Sequence, residues 1–190
     1  MAEAAGVLFG LLGVVLTVRQ SIWCWPAGLA NVTLFMVVFF HARLYGSMGL
    51  QAVYFGLSVY GWRQWLRGGA GSGRLAVSRT PRRWALGLVV AAIVAAAATG
   101  QILSARTDAA LPHLDATLTS FSLVAQWMTT RKWIETWLVW IAVDAVYVGM
   151  YASQQLHVTA VLYAVFLVLA VAGWREWRQS MTGVSPGAAA

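Results

Sequence analysis

A sequence repeat constrains this chain more than any other feature. The pattern Gly-Trp-Arg-x-Trp occurs at 61–65 and again, 112 positions later, at 173–177. The same offset without a gap pairs further residues of the two halves: Thr17 with Thr129, Arg19 with Arg131, Ile22 with Ile134, Trp25 with Trp137, and Leu44 with Leu156. Matches of Trp, Gly and Arg are rare by chance. The chain therefore contains two copies of one structural unit.

The repeat is composed of apolar segments of membrane-spanning length. The sequence is 60% hydrophobic and only 10% charged, with a mean hydropathy of +0.69, whereas soluble domains average about 25% charged residues. A bilayer core requires about 20 apolar residues per helix. Seven segments approach that length: 3–18, 22–41, 46–66, 84–104, 113–130, 133–152 and 156–177. The sequence predicts an all-α membrane protein with seven transmembrane helices.

The repeat and the segments together predict a 3+1+3 organisation. We expect a first three-helix repeat over 1–66, a cytoplasmic loop over 67–83, a connector helix over 84–104, a second three-helix repeat over 113–178 and a disordered tail over 179–190. One connector helix between the halves makes both repeats run in the same direction. Parallel repeats of this kind occur in membrane transporters, whose substrate site lies near the midplane between the repeats.

The distribution of basic residues predicts the orientation of the helices. With the 67–83 loop in the cytoplasm, eleven of the thirteen Lys and Arg residues lie on the cytoplasmic side, and only Arg43 and Arg106 lie on the other. Short cytoplasmic loops of membrane proteins are enriched in these residues. We therefore expect the N-terminus outside and the C-terminus inside. Because the cations lie in short loops between apolar runs, the net charge of +7 does not indicate nucleic-acid binding.

The sixth segment carries the most informative polar pattern. Its residues Trp137, Trp140, Asp144, Tyr147 and Tyr151 are spaced three and four apart, which places them on one face of a helix. A carboxylate at membrane depth is costly and usually faces a protein interior or a wet cavity. One interpretation is an aromatic interfacial belt with a carboxylate paired to another helix. The alternative, which we prefer, is a substrate site in which aromatic faces stack on a flat or cationic ring.

Other helices contribute polar stripes that extend this candidate site. Gln51, Tyr54 and Ser58 share a face of the third segment, and the fifth segment repeats polar residues every three or four positions. The candidate substrate-binding residues are Trp25, Asn31, Gln51, Tyr54, Thr119, Ser122, Gln126, Trp137, Trp140, Asp144 and Tyr163. Amides and hydroxyls would hydrogen-bond a polar vitamin, and the aromatic residues would stack on its ring. Interhelical hydrogen bonding, worth about 0.6 kcal/mol on average in membranes, is the structural alternative.

The sequence offers little support for other classes of function. His41, His113 and His157 lie on different helices without metal-ligand spacing, and no nucleophile is paired with a base. We therefore expect no catalytic residue, no metal and no cofactor. Cys24 is the sole cysteine of the chain, so an intrachain disulfide cannot form. A scaffold or receptor without a transported substrate stays an alternative, although the polar stripes would then cost stability without a return.

Several motifs resemble the PnuC family of bacterial vitamin transporters. They are Trp-Pro-x-Gly-Leu-x-Asn-Val-Thr-Leu-Phe at 25–35, Leu-Tyr at 44–45, Gln-x-x-Tyr at 51–54, Tyr-Gly-Trp-x-x-Trp at 60–65, Met-Thr-Thr-Arg-Lys at 128–132 and Trp-Leu-x-Trp at 137–140. The resemblance extends over nearly the whole chain in the same order. It implies a fold similar to that of the SWEET sugar transporters.

The resemblance also implies a function. Typical family members move nicotinamide riboside across the cytoplasmic membrane by facilitated diffusion, and phosphorylation by a cytoplasmic kinase traps it; relatives carry thiamine or riboflavin. The expected partners are thus a small-molecule vitamin, the lipid bilayer and, functionally, that kinase. The oligomeric state, monomer or homo-oligomer, stays open. One departure concerns the substrate, because the family commonly has Glu-Asn-Trp where this chain has Glu135-Thr136-Trp137. Threonine is shorter than asparagine and lacks its amide.

Overall fold

Seven helices account for almost all of the backbone that the structure describes. The computed structural model of the chain describes residues 2–69, 73–107 and 111–182, with side chains from residue 4 onward. The helices are α1 (Ala2–Val18), α2 (Cys24–His41), α3 (Tyr45–Arg67), α4 (Arg82–Arg106), α5 (Pro112–Thr130), α6 (Thr136–Ser153) and α7 (His157–Met181).

The helix boundaries reproduce the repeat. α2 and α6 begin and end at positions separated by the same 112 residues, as do the starts of α3 and α7. Within the described ranges, four non-glycine residues have positive φ, and they also form two equivalent pairs: Gln20 with Lys132, and Arg43 with Gln155. Each follows the end of a helix, where a left-handed residue lets the next N–H groups reach back to free carbonyls. The Ser21 N–H donates to the Leu16 carbonyl at 2.9 Å, and the Trp133 N–H to the Met128 carbonyl at 3.1 Å. The parallel 3+1+3 repeat is confirmed at the level of single turns.

Six helices form a closed ring. The packed neighbours are α1–α2, α2–α3, α3–α5, α5–α6, α6–α7 and α7–α1, so the two halves meet at α3–α5 and again at α1–α7. The offset converts one of these interfaces into the other, as expected for a two-fold pseudo-axis along the bundle. The connector α4 packs on α5 through Ala92, Ala96 and Gly100, its buried residues.

Not every helix is apolar enough to be recognised as a membrane span by itself. Among the described residues, α2, α4, α6 and α7 meet both the length and the hydropathy expected of a span, while the apolar stretch Ala4–Val18 is shorter. α3 and α5 are long enough, with 23 and 19 residues, but less apolar. Their positions within the ring allow polar side chains to face its interior.

Four tryptophans form an aromatic layer across the end of the bundle where α3 and α7 terminate. Trp25 meets Trp65 edge-on with ring centroids 5.3 Å apart, and Trp137 meets Trp177 in the same way at 5.3 Å. Trp65 and Trp177 also form hydrogen bonds to the opposite half of the chain. The Trp65 indole N–H donates to the Thr129 carbonyl at 3.0 Å, and the Trp177 indole N–H donates to the Thr17 carbonyl at 3.1 Å. The repeated Gly-Trp-Arg-x-Trp motif thus joins each half to the other.

The α3–α4 loop covers one corner of this end. Its Ser78 pairs with the backbone around Trp133, donating to the Lys132 carbonyl and accepting from the Ile134 N–H, each at 3.0 Å. Thr80 donates from its N–H and its hydroxyl to the Glu135 carboxylate at 2.8 and 2.7 Å. The sequence predicted a loop over 67–83 but gave no signal of this docking.

Two of the predicted segments were shorter than the helices of the structure. α4 extends by two residues at each end beyond 84–104, and α7 continues to Met181, into the tail predicted to begin at residue 179. Polar residues such as Gln179 and Ser180 ended the apolar run without ending the helix. The remaining tail residues, 183–190, lie outside the described part of the chain.

Candidate functional site

A cavity of about 490 Å³ lies inside the ring and receives side chains from all six of its helices. Its volume falls within the range of roughly 300–1,000 Å³ that is usual for small-molecule sites. Nine of the eleven predicted site residues line it: Trp25, Asn31, Gln51, Tyr54, Gln126, Trp137, Trp140, Asp144 and Tyr163. The sequence prediction therefore identified one contiguous surface, to which both halves contribute.

Trp25 and Trp137 are equivalent residues where the cavity meets the aromatic layer. Each lies against a glycine on the third helix of its own half, Gly61 or Gly173, and a Cβ at either glycine would overlap the indole. Both side chains are buried, and neither indole N–H has a hydrogen-bond partner within the described residues. Buried indole N–H groups usually have a partner. The two indoles are therefore buried donors whose hydrogen bonds the described residues do not satisfy.

The amides of the cavity differ in how far the fold already uses them. Asn31 donates to the Gly6 carbonyl at 2.7 Å, so its nitrogen joins α2 to α1. Gln51 and Gln126 make no such bond to the described part of the chain, and they lie on opposite halves of the cavity wall. Asn31 is thus at least partly structural, and the two glutamines are the better candidates for ligand contacts.

Asp144 contributes the cavity's carboxylate. The residue is only 4% exposed, and no Lys, Arg or His is among the cavity-lining residues. Trp140, one helical turn earlier, lines the same wall, and Tyr163 of α7 also lines the cavity. The site therefore combines aromatic surfaces, amide groups and one carboxylate within a mostly apolar enclosure.

Two of the predicted site residues do not line the cavity. Ser122 is buried behind the wall, where its hydroxyl faces that of Tyr54, and Thr119 faces the hydroxyl of Tyr147. Both lie on the correct face of α5 but support neighbouring tyrosines instead of facing the cavity. The predicted stripe on α6 also divides, because Tyr147 and Tyr151 are absent from the cavity wall. They stack on each other and on Tyr163, with centroids 4.5–5.7 Å apart.

The prediction omitted several cavity residues that the repeat could have identified. Thr17 and Thr129 are equivalent positions that both line the cavity, and Ser58 shares the face of α3 with Gln51 and Tyr54. Gly28 lies in the wall at the position equivalent to Trp140. Because glycine has no side chain, the cavity wall of the first half leaves more space at this position than the wall of the second half does.

Thr136, at the position where the family commonly has asparagine, lies outside the cavity. Thr136 is 0% exposed and absent from the wall, and its hydroxyl donates to the Ala125 carbonyl at 2.8 Å. It also lies 2.9 Å from the hydroxyl of Thr129, which does line the cavity. Any influence of Thr136 on a ligand would therefore be indirect.

Comparison with known proteins agrees with this architecture. The family model described as Nicotinamide mononucleotide transporter matches residues 1–179. The chain belongs to the nicotinamide mononucleotide transporter family. It is therefore a vitamin transporter of the bacterial cytoplasmic membrane and not an enzyme, as the sequence predicted.

Individual relatives of this transporter family align over nearly the whole chain. The chain is 28% identical to the nicotinamide riboside transporter PnuC of Escherichia coli (strain K12), covering 94% of this chain and 85% of that protein. It is 32% identical to the riboflavin/roseoflavin transporter RibM of Streptomyces davaonensis, covering 93% and 84%. A crystal structure of the vitamin B3 transporter PnuC superimposes with a TM-score of 0.74 at 24% identity, covering 97% of this chain and 83% of that one, which supports the fold.

Proposed function

We propose that this protein carries nicotinamide riboside across the cytoplasmic membrane by facilitated diffusion. The observation that carries the proposal is the cavity at the pseudo-axis. It brings Trp137 and Trp140 together with Gln126 and Asp144, and it also receives Gln51 from the other half. Indole faces suit a planar ring, and amides suit both a carboxamide and ribose hydroxyls. Phosphorylation by a cytoplasmic kinase would then retain the vitamin inside.

Riboflavin is the second candidate, and thiamine the third. The riboflavin transporter RibM is at least as similar in sequence as the nicotinamide riboside transporters, with 32% against 28% identity. A flavin also presents a planar ring and a polyol chain. The overall sequence identity therefore does not indicate which of the two vitamins is carried. The choice between them depends on the chemistry of the cavity.

A binding screen tests the proposal directly. Calorimetry on the full chain in detergent should show binding of nicotinamide riboside, with riboflavin and thiamine weaker by at least tenfold, or about 1.4 kcal/mol. Preferential riboflavin binding would support the second candidate. If none of the three vitamins binds, the proposed function is wrong.

We further propose an outside N-terminus and a cytoplasmic C-terminus. The proposal rests on the excess of Lys and Arg on the side of the bundle where α1, α3, α5 and α7 end. A reporter that is active only in the cytoplasm should function when fused after Thr182 and fail at the N-terminus. The reverse pattern would contradict the assigned orientation.

A further inference from the structure

Asp144 has no partner among the described residues that could balance a negative charge on its carboxylate. The residue is 4% exposed and lines the cavity, and within the described ranges it makes no hydrogen bond or ion pair. Among the described residues, no basic side chain lines the cavity that could compensate a negative charge on Asp144. A buried carboxylate without a partner is costly, and such residues at membrane depth usually mark a functional site.

The repeat shows that the fold does not need a carboxylate at this position. The equivalent residue of the first half is Val32, which is 7% exposed and also lines the cavity. Both residues are buried in the cavity wall, so the two positions present the same kind of packing site. The second half nevertheless has a carboxyl group there. Its cost is thus not explained by helix packing.

The surroundings of Asp144 are suited to a positively charged planar ring. Trp140 lies one helical turn before it on the same wall, and Tyr163 lines the cavity from α7. Aromatic faces attract cations, with the strongest effect for tryptophan in a desolvated site. A carboxylate beside such faces adds an opposite charge in a region of low dielectric constant, where it acts with little screening.

We propose that Asp144 is a specificity-determining residue that makes the cavity select a cationic aromatic vitamin over a neutral one of similar shape. This inference rests on the proposed transport function and narrows its substrate class. A pyridinium riboside and a thiazolium vitamin carry a fixed positive charge at neutral pH, whereas an oxidised flavin does not. One side chain therefore distinguishes the two groups of substrates that overall identity leaves unresolved.

Two ligands that differ in charge provide the test. Nicotinamide riboside is a cation, and its reduced dihydro form is neutral with nearly the same size and the same amide and hydroxyl groups. Calorimetry on the full-length protein in detergent should give at least tenfold tighter binding of the cation. Asp144→Asn should reduce that preference to within about twofold, mainly through weaker binding of the cation. Asp115→Asn removes a carboxylate on α5 that is exposed and does not line the cavity, so it should keep the wild-type preference.

The outcomes separate this inference from the function on which it rests. If wild-type protein binds a vitamin but Asp144→Asn keeps the cation preference or weakens both ligands equally, Asp144 does not determine specificity. If wild-type protein binds no vitamin, the proposed function fails, and the inference fails with it. Asp144→Val, which copies Val32, serves as a second variant. Failure of both Asp144 variants to fold would show that the carboxylate is structural and would also overturn the inference.

Discussion

Gln126 contributes less to the packing of the helices than Trp137 does. It lies half-buried in the cavity wall and makes no interhelical hydrogen bond to the described residues, whereas Trp137 packs against Gly173 and Trp177 as well as facing the cavity. Gln126→Leu should therefore lower substrate affinity at least tenfold, about 1.4 kcal/mol, with little change in thermal stability.

Trp137→Phe should lower affinity to a similar degree, but part of its effect should appear as a lower melting temperature. Calorimetry and thermal melts of both variants measure these changes. The matched control is Gln101→Leu on α4, which is exposed and lies away from the cavity. If both cavity variants bind normally, the aromatic and polar stripes serve packing alone.

Lys132 follows the end of α5 and gives the molecule a pH-dependent stability. Its Nζ lies 3.3 Å from the Gln20 Oε1 and 4.4 Å from the Trp65 ring centroid. Burial, together with the nearby positive charge of Arg74, lowers the pKa of Lys132 from 10.5 to about 8. Between these values the unfolded chain binds more protons than the folded one, so this residue makes stability rise with pH from about 8 to 10.5.

Removing the Lys132 amine should remove that rise. Lys132→Met should be relatively more stable than wild type below pH 8, and the difference should shrink as the pH approaches 10. Other groups titrate in both proteins, so the difference in melting temperature isolates Lys132. A constant difference across this range would show that the amine keeps its ordinary pKa.

Helical spacing predicted which face of each helix is polar, but not which residues along that face reach the cavity. Thr119 and Ser122 share a face of α5 with Gln126 and yet lie behind tyrosines. The depth of a residue along a bundle depends on how neighbouring helices tilt and close, which no single helix encodes. The 112-residue repeat is more informative about which residues reach the cavity. It pairs Thr17 with Thr129 and Trp25 with Trp137, and all four line the cavity wall.

At the scale of helices, the repeated glycines determine how closely α3 approaches α2 and α7 approaches α6. Gly61→Ala and Gly173→Ala would each place a methyl group against a buried indole, and overpacking of this kind usually costs about 1–3 kcal/mol. Thermal melts in detergent should show a lower melting temperature for both variants. Gly56→Ala on α3 has nothing within 4 Å of the new methyl, so it should be neutral or slightly stabilising. Equal melting temperatures for all three variants would contradict the close contact.

The elements themselves were largely predictable, because long apolar runs and a repeat specify helices and their order. The packing of α4 could not be predicted from the sequence. Its sequence is apolar on most sides, and the contact with α5 depends on small residues whose spacing is common by chance. The docking of Ser78 and Thr80 beside α6 was equally hidden, since a Gly-, Ser- and Arg-rich loop carries no periodic pattern.

At the scale of the whole molecule, the pseudo-symmetric ring is more regular than the cavity it encloses. The aromatic layer obeys the two-fold relation in its contacts and its hydrogen bonds. The cavity departs from it where Asp144 replaces Val32 and Trp140 replaces Gly28. A symmetric scaffold therefore encloses an asymmetric site, which is suited to an asymmetric substrate.

Transport by this molecule should be passive. The chain contains no G-x-x-x-x-G-K-[ST] nucleotide-binding motif, and the loop between α3 and α4 is too short for an ATPase domain. Coupling to an ion gradient would require a titratable group in the transport path, and Asp144 is the carboxylate that lines the cavity. If Asp144 serves as a fixed counter-charge to the substrate, it does not need to exchange protons during the cycle.

Uptake into proteoliposomes distinguishes passive transport from transport coupled to an ion gradient. With the membrane potential held at zero, labelled nicotinamide riboside should equilibrate across the membrane without exceeding its outside concentration, at the same rate with or without a pH gradient. Asp144→Asn should slow uptake of the cation but should neither create nor remove a gradient dependence, because the carboxylate acts on affinity and not on energy coupling. Accumulation above the outside concentration that collapses with a proton or sodium gradient would contradict facilitated diffusion, and loss of that accumulation in Asp144→Asn would identify Asp144 as the coupling residue.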